Sequence, residues 1–370
     1  SNLVFLLDVS GSMNRPNKLP LVIEGMTMLA DQLTENDSVA IVVYAGQAGM
    51  VLDSTSGDQK QTIISALERL RAGGSTDGGS GIKLAYDIAR DHFIVGGTNR
   101  VLLCTDGDFN VGVTGTDALI RLAEENAKSN IYLSILGFGM GNHNDEMMEK
   151  VSNKANGNYA FIDNKSEAHK VLVEELGATL VTIAKDVKVQ IEFNPSEIES
   201  YRLIGYENRI MAAQEFNDDT KDAGEIGAGH TVTALYELVP ADADSNVTIP
   251  PVDDLRYQKK ARLSKEATSG EALILKLRYK APDAGPEGVS TLIQFPVTDE
   301  GKKFSEMDED FQFASAVASF GMLLRKSPYK GNSTFAAVKE IASASANDDP
   351  SGYRAEFLQM VARGKELSGE

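Results

Sequence analysis

Three short segments carry oxygen-bearing side chains at spacings that suit a hard cation. "DVSGSM" places Asp8, Ser10 and Ser12 at alternate positions. "GGSTDGG" supplies Ser75, Thr76 and Asp77, and "TDGD" supplies Asp106 and Asp108. Carboxylate and hydroxyl oxygens suit Mg2+, Mn2+ or Ca2+, and the intervening glycines keep the backbone compact around a small ion. No His or Cys stands inside these segments, which speaks against a zinc site.

Elements of regular structure must bring the segments together. Continuous apolar runs at 3–7, 38–45, 100–105 and 131–139, with shorter ones at 49–53 and 159–162, read as strands, the longer ones buried on both faces. Amphipathic helices alternate with them, one beginning at Leu19 and the others near 59–70, 78–92, 116–128, 145–155 and 166–184. This order predicts a doubly wound, mostly parallel six-stranded α/β sheet, Rossmann-like in character. Such sheets bind ligands at the carboxyl ends of their strands, where the strand order reverses. If the strands ending at Asp8 and before Asp106 are neighbours there, the two carboxylates face each other. At about 4 Å they would repel by roughly 1 kcal/mol in water and about 4 kcal/mol at an effective dielectric of 20. No Lys or Arg lies within the three segments to relieve this, whereas a divalent cation would.

Other chemistries fit less well. "DGDFNVG" alternates oxygen ligands as an EF-hand loop does, but Val111 stands where that loop needs glycine and Asp117 where it needs Glu. "GFGMGN" (137–142) lacks the full dinucleotide fingerprint and follows a late strand, so it reads as a tight strand exit. A nucleophilic Ser10 or Ser12 would need a base, and none of His92, His143, His169 and His230 sits in a recognisable catalytic motif. Of the four, His143 is the one in a loop that could face the metal end of the sheet. Helix capping would account for Ser10 or Ser12 but leaves Thr76 and Asp106 unexplained.

Taken together the segments acquire a family likeness. "DVSGSM" resembles the D-x-S-x-S motif of von Willebrand factor type A domains, "GGSTD" their threonine loop and "TDGD" their second aspartate loop. "GFGMGNHND" and "ANGNYAFID" are similar to the fifth and sixth strand regions of that fold. The resemblance implies a metal-ion-dependent adhesion site holding one divalent cation, Mg2+ foremost, with Mn2+ or Ca2+ as alternatives. Ser10, Ser12 and Thr76 would bind it directly, and Asp8 and Asp106 directly or through water. It also implies an open coordination position that takes an acidic side chain from a protein partner.

From residue 186 the period changes from helical to alternating. "VKVQIEF", "TVTALYELV", "ALILKLRY" and "VSTLIQFPV" predict antiparallel strands, with a weaker one at 201–211. They suggest a β-sandwich-like region over 186–304. Residues 217–229 and 240–254 read as surface loops. After 305 helical stripes return: Phe313, Val317, Phe320 and Leu324; Phe335, Val338 and Ile341; and Tyr353, Phe357, Met360 and Val361 after an Asp349 cap and Pro350. These stripes read as core packing within a helical region, 305–370. This half resembles the uncharacterised C-terminal region of bacterial von Willebrand factor type A proteins often labelled homologues of calcium-activated chloride channels. The likeness rests on "EDFQFASAVASFGMLLR" and "DPSGYRAEFLQMV", and nothing in it resembles a pore.

Bulk properties narrow the partners. The 370 residues exceed one ordinary core, so more than one domain is expected. The net charge of −18 argues against nucleic acid and anionic lipid. No run approaches the 18 apolar residues of a membrane span. The single cysteine, Cys104, excludes an internal disulfide and reads as a packed core residue. The chain enters a strand directly from Ser1-Asn2, which reads as a piece of a longer protein, and the resemblance places that protein in the cell envelope or outside the cell. The expected function is a non-enzymatic, divalent-cation-dependent binding module for adhesion or assembly, occupying 1–185, with an unknown protein ligand. The competing expectations are a metal-assisted hydrolase using Asp77 or Asp108 as base, and a scaffold whose metal site is vestigial.

Overall fold

β1 (Asn2–Asp8) is buried along its entire length, as an uninterrupted apolar run requires when both faces of its sheet are covered. The computed structural model describes the chain except residues 76–77, 108–115, 140–143, 176–181, 207–209, 222, 244–262, 286–287 and 370. β2 (Ser38–Tyr44), β3 (Ala48–Ser56), β4 (Asn99–Thr105), β5 (Ile131–Phe138) and β6 (Tyr159–Ile162) complete a sheet of order β3-β2-β1-β4-β5-β6. All neighbours are parallel except β2 and β3. The expected six-stranded sheet is therefore present, and its order reverses between β1 and β4.

Alternate residues of β1 enter two separate cores. Leu3, Phe5 and Leu7 pack with α1 (Leu19–Gln32), with Ile63 of α2 (Lys60–Glu68) and with Ala168 of α6 (Lys165–His169). Val4 and Leu6 pack on the opposite face with α3 (Gly78–Asp91), α4 (Thr116–Lys128) and α5 (Asp145–Lys154). Cys104 lies in the first core, where burial pushes its thiol pKa far up, so it is a packing residue.

By contact density the chain forms two compact units. One comprises Ser1–Lys188, Gln214–His230 and Arg278–Leu292, and the other Val189–Ala213, Thr231–Leu277 and Ile293–Glu370. A four-stranded sheet of order β12-β11-β7-β9 joins β7 (Thr182–Phe193), β9 (Gly224–Gly227), β11 (Leu273–Lys280) and β12 (Thr291–Val297). β8 (Ile198–Ile204) and β10 (Leu235–Pro240) form an antiparallel pair. Phe193 stacks on Tyr201 at 4.1 Å between ring centroids and leans on Tyr236 at 5.6 Å.

Three local expectations need correction. The helix expected over 166–184 is α6 followed by a π-helical turn ending at Glu174, and β7 already begins at Thr182. The loop expected over 217–229 contains β9, whose "GEIG" carries almost no strand signal and is ordered by pairing with β7. The last helix begins at Tyr353 rather than near Pro350, yet Asp349 still accepts from the backbone N–H groups of Arg354 and Ala355. The aromatic core holds: Phe313, Phe320, Phe335 and Phe357 meet edge to face in the second unit, although Val317, Leu324 and Met360 point outward.

Candidate metal centre

The site lies where the strand order reverses. Asp8 ends β1 and Asp106 immediately follows β4, the strand paired with β1. Both carboxylates are buried. The Oδ1 of Asp8 accepts the Ser10 backbone N–H at 2.8 Å. Its Oδ2 accepts the hydroxyls of Tyr44 at 3.3 Å and Thr105 at 3.4 Å. Burial is the main reason the Asp8 pKa is raised above the usual carboxylate value; the negative charge of Asp106 adds to it, while hydrogen bonds from Ser10 and Tyr44 oppose it.

After Asp8 the chain turns sharply into a single 3₁₀ turn, Gly11–Met13. Ser10 stands at its N-cap position but its side chain caps nothing; its Oγ lies 3.0 Å from that of Ser12. Helix capping therefore does not explain these two hydroxyls. Ser10 is buried and Ser12 exposed, so the pair leads from the floor of the site to its rim.

The third loop is stitched to the first by backbone. Gly73 N–H donates to the Val9 carbonyl at 2.8 Å, and Gly11 N–H to the Gly74 carbonyl at 3.1 Å. Gly74 adopts φ +86°, a left-handed turn that glycine takes without a steric cost. This places Ser75 beside the first loop. Thr76 and Asp77 themselves lie outside the described residues, as do His143 and, over 108–115, Asp108 with most of the EF-hand-like stretch. The structure thus brings Asp8, Ser10, Ser12 and Asp106 to one end of the sheet. His92 pairs with Asp53 and His169 with Glu174, so neither serves Ser10 or Ser12 as a base.

Sequence reasoning missed a cation. The Lys18 ammonium donates to Asp106 Oδ2 at 2.7 Å, with both side chains buried. Lys18 precedes α1, ten residues after Asp8, and no sequence period announces where its side chain points. Its stem passes over the exit of β5: a Cβ on Gly139 (φ +78°) would stand 2.6 Å from both Cγ and Cε of Lys18. The "GFG" exit is thus the channel through which this lysine reaches the site. Tyr44 was also missed, although it occupies the β2 position in register with Asp8.

The donor set suits a hard divalent cation. Among the described residues two buried carboxylates and one buried ammonium meet there, and the neighbouring donors are hydroxyl oxygens. Among the described residues no group of three or more His, Cys, Asp or Glu converges.

Comparison with known proteins agrees with this architecture. Residues 2–175 match the von Willebrand factor type A domain, and residues 178–367 match the C-terminal region of the uncharacterized protein YfbK. The Escherichia coli (strain K12) "Uncharacterized protein YfbK" is 44% identical over 361 residues, covering 98% of this chain and 61% of the relative. The "Uncharacterized protein sll0103" of Synechocystis is 31% identical over 171 residues, 45% of this chain and 39% of the relative. The chain therefore spans less than two thirds of either relative. A solved von Willebrand factor type A structure from Catenulispora acidiphila shares the fold, with 16% identity and a TM-score of 0.50 over 98% of this chain and 82% of that one. The chain belongs to the family in which a von Willebrand factor type A domain is followed by the YfbK C-terminal region.

Proposed function

We propose that this protein is a divalent-cation-dependent protein-binding module, acting in adhesion or assembly at the cell envelope. The observation that carries the reading is the placement of two buried carboxylates, Asp8 and Asp106, beside the Ser10 and Ser12 hydroxyls at the point where the sheet order reverses. In this reading Asp8, Ser10, Ser12, Thr76 and Asp106 hold one cation, Mg2+ in the first instance. A bound cation would present an exposed Lewis-acidic position to a partner's carboxylate. The chain's own residues fix Asp8 from behind, through Tyr44, Thr105 and the Ser10 N–H, and leave the exposed Ser12 edge toward a partner. The module occupies 1–185, with 186–304 and 305–370 as appended regions. Among the described residues no helix is long and apolar enough to cross a membrane.

Thermal melting with Mg2+, Mn2+ or Ca2+ against chelator tests the reading. A ligand at a hundred times its Kd stabilises the folded state by about 2.7 kcal/mol. The gain should vanish in Asp8→Ala and Asp106→Ala. A melting temperature indifferent to all three ions overturns the proposal.

A further inference from the structure

The buried pair of Lys18 and Asp106 has no place in a plain oxygen-ligand site, because an ammonium competes with a metal for the same negative charge. We propose that Lys18 is a resident counter-cation that weakens the site's hold on divalent metal and makes that hold depend on an arriving carboxylate. This rests on the metal-binding reading of the site.

Three observations carry it. The Lys18 ammonium sits 2.7 Å from Asp106 Oδ2, a charge-assisted hydrogen bond between two buried groups. Its path is built into the fold, since β5 exits through Gly139, where any side chain would collide with the lysine stem. Lys18 is also only 6% exposed, so swinging away would strand a charge in the interior. The ammonium therefore stays when a metal arrives.

The charge count then decides the behaviour. Whatever else lines the site, Lys18 makes it one charge more positive once a divalent ion is bound to Asp8 and Asp106 than it would be without the lysine. Repulsion between ammonium and metal would lower metal affinity, and the added positive charge would favour an anionic ligand over water. The partner chemistry this selects is a carboxylate, and metal and partner bind with positive coupling.

Mn2+ binding, followed by electron paramagnetic resonance and calorimetry in carboxylate-free, low-salt buffer, tests the idea on the full chain. Lys18→Met and Lys18→Gln, each checked for folding by circular dichroism, should bind Mn2+ roughly tenfold or more tightly than the unaltered chain. Millimolar acetate should tighten Mn2+ binding by the unaltered chain severalfold at constant ionic strength, and do so less in Lys18→Gln. The acetate arm needs no variant and stands if both substitutions prevent folding. Unchanged or weaker Mn2+ binding in the folded variants, or no acetate effect on the unaltered chain, overturns the counter-cation proposal alone. Absence of Mn2+ binding by every chain overturns the metal-site reading itself.

Discussion

The phenol of Tyr44 donates a hydrogen bond to Oδ2 of Asp8 from the register position directly opposite on the neighbouring parallel strand. Tyr44 is fully buried, and burial together with the Asp8 charge pushes its pKa well up, so it remains a donor throughout the physiological range. With Thr105 and the Ser10 N–H it is thus one of the outer partners that fix the direction of the first carboxylate.

Tyr44→Phe removes this donor without opening a cavity. Divalent-metal affinity should fall about 10–100-fold, the usual effect of losing an outer-shell partner. Calorimetric titration with Mn2+ reads it directly, and an affinity within twofold of the unaltered chain would contradict the assigned role.

Asp8 sets a pH dependence in chelator. Its pKa is raised in the folded state, so the folded chain binds more protons than the unfolded one between the two values. The stability associated with its neutral form is complete below the unfolded value of about 3.9 and is lost as pH rises through the folded value. Asp8→Asn should flatten this fall, and melting curves from pH 4 to 7 in chelator should diverge in favour of the variant. With metal the sign reverses, because only the ionised carboxylate is a ligand, and Mn2+ affinity should rise across the same window.

Gly81 lets α3 lie close against the sheet. A Cβ there would lie 2.8 Å from Tyr44 Cβ, which is fixed to the backbone and cannot swing away, and 3.2 Å from Leu6 Cδ1. Gly81→Ala should cost about 1–3 kcal/mol in overpacking, against a helix-propensity gain of at most about 1 kcal/mol. Denaturant unfolding should show net loss. Mn2+ affinity should also drop, since Tyr44 is the residue that is pushed.

Tyr86 is the control. It is buried in the second core, and its hydroxyl finds no hydrogen-bond partner among the described residues. Tyr86→Phe should be neutral or stabilising by up to about 1 kcal/mol, with metal affinity unchanged. A loss above 1 kcal/mol in denaturant unfolding would mean the hydroxyl is satisfied after all.

Much of this protein was legible in the residues alone. Short runs such as "LVFLL" and "RVLLCT" suit strands covered on both sides, and with helical stripes between them they point to a doubly wound sheet. Acids at strand ends then mark the rim, and Asp8 and Asp106 meet there because β1 and β4 are neighbours. What the sequence could not show depends on direction rather than period. Lys18 lies in a loop whose backbone has no repeat to aim a side chain, and only the packing of its stem over Gly139 turns it toward Asp106. β9 forms because β7 offers it backbone partners, not because "GEIG" prefers to be a strand. Apolar periodicity determined which segments would be buried; the tertiary structure decided which charges would be buried with them, because a charge enters an interior only where a specific partner offsets its lost hydration.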